Sequence, residues 1–223
     1  MKCQDNPMSI SVFIADDHAI IRDGLRLLLE AQPDIKVVGD AADGRQTVYQ
    51  VQQICPDVVI MDIAMPELNG IEATLHIRQS CPSTQVVILS IYATAEHIFR
   101  ALQAGALGYI LKESAAIEVV NAVRAVHAGH RYLCKKIDEI MVDNYISRRR
   151  VSEIKSPIES LSPREREILQ LVVEGKASAE IASILSLSPK TVETYRSRLM
   201  QKLKVNDIPS LVKFAIQHGL TPG

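Results

Sequence analysis

The sequence predicts a five-stranded doubly wound parallel α/β sheet followed by a small all-α domain of four helices. Two observations carry the prediction. Short β-branched runs alternate with amphipathic stretches over the first 130 residues, and a helical period takes over from Leu161. A third fits it: residues 1–130 hold 9 Lys and Arg against 15 Asp and Glu, a net of −6, whereas 131–156 and 157–223 carry +3 and +2. An acidic first half on a mildly basic second half predicts different partners for each.

ISVFIA (10–15), IKVVG (35–39), DVVIM (57–61), QVVILS (85–90) and GYIL read as strands. They are short and apolar on both faces, as a parallel sheet covered by helices requires. Ile21, Leu25, Leu28 and Leu29, and later Val119, Val120, Val123 and Val126, recur at helical spacing. Five repeats of strand then helix give the doubly wound sheet. Residues 131–160 lack strong periodicity and read as a short helix or extension followed by a polar linker. The run Arg148-Arg149-Arg150 reads as solvated linker, with a supplementary phosphate contact as the alternative. Beyond it, Ser162-Pro163-Arg164-Glu165 is a capping box with Pro at the first helical position, and Ser188-Pro189 repeats the Ser-Pro start. Asn206-Asp207 opens a last helix.

Composition narrows the functional classes. The chain of 223 residues is 47% apolar and 23% charged, so globular folding is expected. Aromatic residues make up 4% with no Trp, which argues against a carbohydrate cleft or a base-stacking platform. No apolar run approaches the ~20 residues of a membrane span, and the N-terminus lacks a signal-peptide core. Cys3, Cys55, Cys81 and Cys134 are scattered without a CxxC pair, which predicts free thiols in a reducing cytoplasm and no zinc site.

The chemistry sits at strand ends. Asp16 and Asp17 follow the first strand, Asp62 follows the third, Ser90 ends the fourth, and Lys112 lies just past the fifth. The carboxyl ends of the strands line the crevice of an open α/β sheet. Three carboxylates brought close there cannot all stay ionised at low cost. Mg²⁺, which suits a few carboxylates plus water and phosphate oxygens, resolves the conflict. A carboxylate can act as nucleophile toward a phosphoryl group. Asp62 is thus read as nucleophile, Asp16 and Asp17 as metal-holding carboxylates, Lys112 as phosphate counter-charge and Ser90 as a hydroxyl contacting phosphate. Singly, each has a plainer reading: Asp16-Asp17 as a helix cap, Asp62 as a turn residue, Lys112 as a surface ion pair, Ser90 as a strand-end hydroxyl.

IADDH, VIMDIAMPELNGIEA, ILS and GYILKE, over about residues 9–128, resemble the receiver domain of response regulators. The resemblance implies a flavodoxin-like fold and phosphorylation of Asp62 by a sensor histidine kinase. It also implies a backbone carbonyl of Ala64 facing the metal and a switch pair in which Ser90 moves toward the phosphate and the Tyr109 ring turns inward. Physically, this is an added charge biasing a bistable element. Ala64, without a polar group to orient water, and Ile91, a branched side chain beside Ser90, together predict a long-lived aspartyl-phosphate. The Tyr92 hydroxyl, which can hold a water, works against that.

In SAEIASILSLSPKTVETYRSRLMQKL, two helices flank a turn near Ser186-Leu187. Val192, Tyr195, Leu199 and Leu203 lie on one face of the second, at i, i+3, i+7 and i+11. The periodicity alone fits an ordinary amphipathic surface helix as well as a recognition helix. LSPREREILQLVVEGKASAEIASILSLSPKTVETYRSRLMQKL, within about residues 157–220, resembles the LuxR-type helix-turn-helix. With the receiver it is similar to the NarL/FixJ family of transcriptional regulators. Under that resemblance Glu193, Thr194 and Ser197 face base edges, Lys190, Arg196, Arg198, Lys202 and Lys204 face phosphates, and Thr191 is grouped with the DNA-facing residues. Glu193 has two readings, a cytosine contact or a pair with Arg196. Ser178-Ala179 replaces a frequent Asn-Lys pair, which removes a phosphate contact.

The expected organisation is a receiver over 9–128, a linker over 129–156 and a helix-turn-helix domain over 157–223. The expected function is a cytoplasmic, non-enzymatic transcription regulator that binds the major groove of double-stranded DNA. Phosphorylation is expected to promote homodimerisation or release of the helical domain from the receiver, with RNA polymerase as a further candidate partner and no membrane association. The last helix, around Leu211 and Ile216, is a dimer contact or packs within its own domain. Two alternatives stand beside this reading. One is a metal-dependent phosphohydrolase, with His18 and Glu67 as the nearest acid–base candidates. The other is a regulator that keeps its first domain only for dimerisation.

Overall fold

The computed structural model describes residues 9–148 and 157–217. Six parallel strands form one sheet in the order β2-β1-β3-β4-β5-β6: β1 (Ile10–Ala15), β2 (Ile35–Ala41), β3 (Val58–Asp62), β4 (Gln85–Ser90), β5 (Gly108–Leu111) and β6 (Tyr132–Leu133). The crossovers are helices: α1 (Ala19–Glu30), α2 (Gly44–Ile54), α3 (Gly70–Ser80), α4 (Ala95–Gln103) and α5 (Ala115–His127). Val12, Phe13 and Ile14 of β1 and Val58, Val59 and Ile60 of β3 are fully buried, because helices cover both faces. α1 and α5 pack together, as do α2 and α3 and then α3 and α4. Strand order reverses at β1, whose neighbours are β2 and β3, so the crevice opens between the carboxyl ends of β1 and β3.

The sixth strand corrects the expected five. Tyr132 and Leu133 pair with Gly108 and Tyr109, and two residues are too few to display a period of two. The strand falls in the expected linker 129–156, which also carries a helix, α6 (Lys135–Arg148). Cys134 and Ile137 join the core of the α/β domain and Ile140 and Met141 pack against it. Arg148 ends α6, whereas Arg149 and Arg150 lie outside the described residues.

A second core holds Ile168, Leu171, Ile181, Val192 and Leu199. It joins α7 (Pro163–Val173), α8 (Ser178–Leu185), α9 (Pro189–Leu203) and α10 (Ile208–Gln217). Ser162 caps α7 in a reciprocal box with Glu165, and Ser188 caps α9 by accepting from the Thr191 N–H. The turn between α8 and α9 is set by Ser186 in the left-handed conformation (φ 53°). Leu211 is buried in this core while Ile216 is 41% exposed, so of the two residues proposed for a dimer contact only Ile216 faces outward. No helix of the described residues is long and apolar enough to cross a membrane.

Candidate functional site

The strand ends bring the acidic residues together. Asp16 follows β1, Asp62 ends β3, Ser90 ends β4 and Lys112 begins the turn after β5. Lys112 Nζ bridges two carboxylates, 2.8 Å from Asp62 Oδ2 and 2.7 Å from Asp16 Oδ2. Asp62 Oδ1 accepts from the Ile63 N–H at 2.7 Å. The plainer reading of Asp16-Asp17 fails: His18 is the N-cap of α1. Asp16 Oδ1 accepts from the His18 N–H at 2.9 Å, and His18 Nδ1 lies 2.6 Å from Asp17 Oδ1.

Burial pushes the Asp62 carboxyl above the usual carboxylate range, and Asp16 adds to the push while Lys112 opposes it. Burial alone would lower the Lys112 ammonium, but Asp62 and Asp16 outweigh it and raise it. Three carboxylates thus face one ammonium. Ligand atoms of Asp16, Asp17, His18 and Asp62 lie within 4.8 Å of one another. The buried Asp16 Oδ2 and Asp17 Oδ1 accept no well-aligned hydrogen bond. An excess of negative charge on hard oxygen donors fits a small divalent cation.

Gly70 shapes this pocket and was not singled out in the sequence. A Cβ there would lie 1.8 Å from the Asp62 carbonyl oxygen, so only glycine lets α3 start this close to the strand end. Its N–H donates to the Ile63 carbonyl at 2.9 Å, which closes the loop 63–69 that carries Ala64.

Ser90 is fully buried and its Oγ accepts from the Tyr92 N–H at 3.1 Å. Tyr109 is also fully buried, donating to the Tyr92 carbonyl at 2.7 Å. Burial drives its phenol well above the ordinary value. The ring is thus turned into the core of the α/β domain. Tyr92 stacks on His97 with centroids 4.7 Å apart. Ile91 is 69% exposed, so most of its side chain faces solvent.

The other half of the site is an interface between the two domains, built by α7. Gln170 is fully buried. Its Oε1 accepts from the Asn69 N–H at 2.7 Å and its Nε2 donates to the Met65 carbonyl at 2.9 Å. Glu174 accepts from the Glu67 N–H at 3.1 Å, and Lys176 pairs with Glu67 at 3.1 Å. All of these grip the loop that follows Asp62. Beside them, Arg166 Nε donates to Glu72 at 2.5 Å, and Arg100 of α4 approaches the same carboxylate at 3.8 Å. Glu167 sits among His76 at 3.2 Å, Arg45 at 3.6 Å and Arg164 at 3.0 Å. Burial opposes its ionisation, but His76, Arg164 and Arg45 outweigh that and lower the carboxyl below the ordinary glutamate range. Sequence reasoning missed this interface. Glu167, Gln170 and Glu174 recur at i, i+3 and i+7, the pattern of a solvent face.

On α9 the structure separates the residues read as DNA contacts. Lys190, Glu193, Thr194, Ser197, Arg198 and Lys204 are exposed, with Thr191 half-buried. Glu193 bonds Ser178 Oγ and lies 3.5 Å from Arg196, and Arg196 donates to Ser178 at 2.8 Å. The ion-pair reading of Glu193 thus describes its state without DNA. Lys202 bonds Glu165 at 2.7 Å and the Ser160 carbonyl at 3.2 Å, so it serves its own domain here.

Comparison with known proteins follows this division. The family "Response regulator receiver domain" matches residues 12–124, and "Bacterial regulatory proteins, luxR family" matches 159–215. The oxygen regulatory protein NreC of Staphylococcus carnosus is 39% identical over 214 residues, covering 95% of this chain and 99% of its own. The response regulator UvrY of Escherichia coli is 38% identical over 211 residues, covering 95% of each. A structure of the Salmonella typhimurium response regulator RcsB superposes with a TM-score of 0.66 at 27% identity, covering 95% of this chain and 98% of that one. RcsB has also been solved with DNA (TM-score 0.57, 27% identity, 92% and 97% covered). With a receiver sheet, an acidic crevice and a helical domain of matching extent, the chain belongs to the NarL/FixJ family of two-component response regulators.

Proposed function

We propose that this chain is a cytoplasmic transcription regulator, not an enzyme, switched by phosphorylation of Asp62 from a sensor histidine kinase. The observation that supports it most is the placement of one loop. Residues 63–69 leave the buried Asp62 directly and end on the backbone and side-chain groups that Gln170 and Glu174 hold.

Asp16, Asp17, Asp62 and the Ala64 carbonyl would hold Mg²⁺, which would neutralise charge on the phosphoryl oxygens. An Asp62 carboxylate oxygen attacks the phosphorus as the P–N bond to the kinase's phosphohistidine breaks and the imidazole leaves. Lys112, already between Asp62 and Asp16, moves to the new oxygens, and the Ser90 hydroxyl hydrogen-bonds one of them. The added charge then displaces the loop from α7. The polar face of α9 is exposed while α7 is docked, so release does not uncover the helix. It frees the helical domain to orient, so that a homodimer can set two recognition helices about one DNA turn apart. Lys190, Arg196, Arg198 and Lys204 then face phosphates, Thr194, Ser197 and Glu193 face bases, and Thr191 lies beside them. Lys202 joins the phosphate contacts only if it leaves Glu165. Ala64 lacks a polar group to position water, which favours a long-lived phosphate.

Incubation with an acyl phosphate and Mg²⁺ tests the chemistry. Intact mass should rise by one phosphoryl group in the wild type and stay unchanged in Asp62→Asn. Equal labelling of the variant would move the acceptor elsewhere, and turnover of free substrate would favour a hydrolase.

A further inference from the structure

Two cysteines that the sequence separates by 26 positions meet at the far end of the α/β domain. Cys55 caps α2 in the left-handed conformation (φ 47°) with its side chain exposed. Cys81 caps α3 and is 3% exposed. Their sulfurs lie 2.9 Å apart, so a disulfide needs a closure of under about 1 Å. Among the described residues the cluster suited to a metal is the acidic crevice, and it includes neither sulfur. Cys134 is buried in the core near β5 and β6, apart from this pair.

We propose that Cys55 and Cys81 form a reversible intramolecular disulfide when the protein meets a hydroperoxide. Burial and the neighbouring Cys55 push the Cys81 thiol up, and Cys81 is buried while Cys55 is exposed, so Cys55 is the thiol that a hydroperoxide reaches. Its sulfur forms an S–O bond as the O–O bond breaks, giving a sulfenic acid, and the departing oxygen leaves as water. Cys81 then gives up its proton and attacks the Cys55 sulfur. The S–O bond breaks and hydroxide takes that proton as a second water. Two thiols are oxidised and one hydrogen peroxide is reduced to two waters.

The bond would join the C-terminal ends of the two helices that carry much of the domain interface. Arg45 of α2, and Glu72 and His76 of α3, are among the receiver residues that α7 engages. An oxidised chain therefore holds α2 and α3 in their docked arrangement.

Full-length protein treated with one equivalent of hydrogen peroxide, then alkylated and cut with trypsin without reductant, tests this directly. Trypsin cleaves between the cysteines at Arg78. The expected product is a Cys55–Cys81 linked peptide pair, lighter by two hydrogens and resolved by dithiothreitol. Cys81→Ala should leave Cys55 as a sulfenic acid trapped by dimedone, and Cys55→Ser should leave Cys81 as a thiol. The oxidised wild type should unfold at higher urea than the reduced protein, a shift absent in Cys55→Ser. A wild type in which Cys55 is trapped or over-oxidised while Cys81 stays alkylatable overturns the disulfide. A linked pair without the urea shift overturns the restraint on α2 and α3.

Discussion

The acidic crevice and the α7 interface both bury charge, but with opposite balances. In the crevice Lys112 is shared by Asp16 and Asp62 while Asp17 meets the His18 ring, and two buried carboxylate oxygens accept no well-aligned hydrogen bond. At the interface cations outnumber the carboxylates: Glu72 lies between Arg166 and Arg100, and Glu167 among Arg45, Arg164 and His76. A surplus of negative charge on hard oxygens suits a divalent cation. A carboxylate enclosed by guanidinium groups is already paired and holds two domains together. The first is built to receive, the second to fasten, and the loop 63–69 belongs to both.

Removing the carboxylate at the centre of the interface should have the largest effect. Glu72→Ala takes the carboxylate away from Arg166 in a mostly buried site, and breaking a buried ion pair by removing one partner costs about 3–5 kcal/mol. Urea unfolding should show that loss, and an unchanged midpoint would mean that the cluster is solvated and fastens nothing. Gln170→Ala removes no charge but strands the Asn69 N–H and the Met65 carbonyl, each worth about 1–3 kcal/mol when buried unpaired. Each domain should still fold while small-angle scattering reports a larger radius of gyration. Should the dimensions stay those of the wild type, the ion pairs alone carry the docking.

Acid sharpens the comparison further. The Glu167 carboxyl is held below its ordinary value by His76, Arg164 and Arg45 against the cost of burial. Its contribution is fully present above the ordinary glutamate pKa and is lost as pH falls through the lowered value. Interdomain protection measured by hydrogen exchange should therefore hold at neutral pH and weaken only below about pH 4.5. The smallest effect belongs to the exposed face of α9. Lys190→Ala should weaken binding across DNA sequences alike and reduce the salt slope by about 1. A sequence-selective loss would place Lys190 on a base edge.

The crevice was legible in the sequence because parallel strands announce themselves by apolar runs, and their last residues must share one edge. Asp16, Asp62, Ser90 and Lys112 needed no further information. The interface was not legible, since Glu167, Gln170 and Glu174 have the spacing of a solvated face and only the docked receiver buries them. The ion pair of Lys202 with Glu165 was not legible either, because it joins α9 to a residue of α7 37 positions away. Leu211 and Ile216 share one helix, and which of them faced the core depended on how α10 meets α7. The pair Cys55 and Cys81 has no spacing signal, because the helix ends that join them are distant in sequence.

If charge on Asp62 undoes the grip of α7 on the loop beside it, phosphorylation should separate the two domains. The most direct measurement is the distance between spin labels on α5 and α10, by double electron–electron resonance, with and without an acyl phosphate and Mg²⁺. A single docked distance should broaden and lengthen on phosphorylation in the wild type and stay fixed in Asp62→Asn. A distance unchanged in phosphorylated wild type, or lengthened equally in the variant, would contradict that separation.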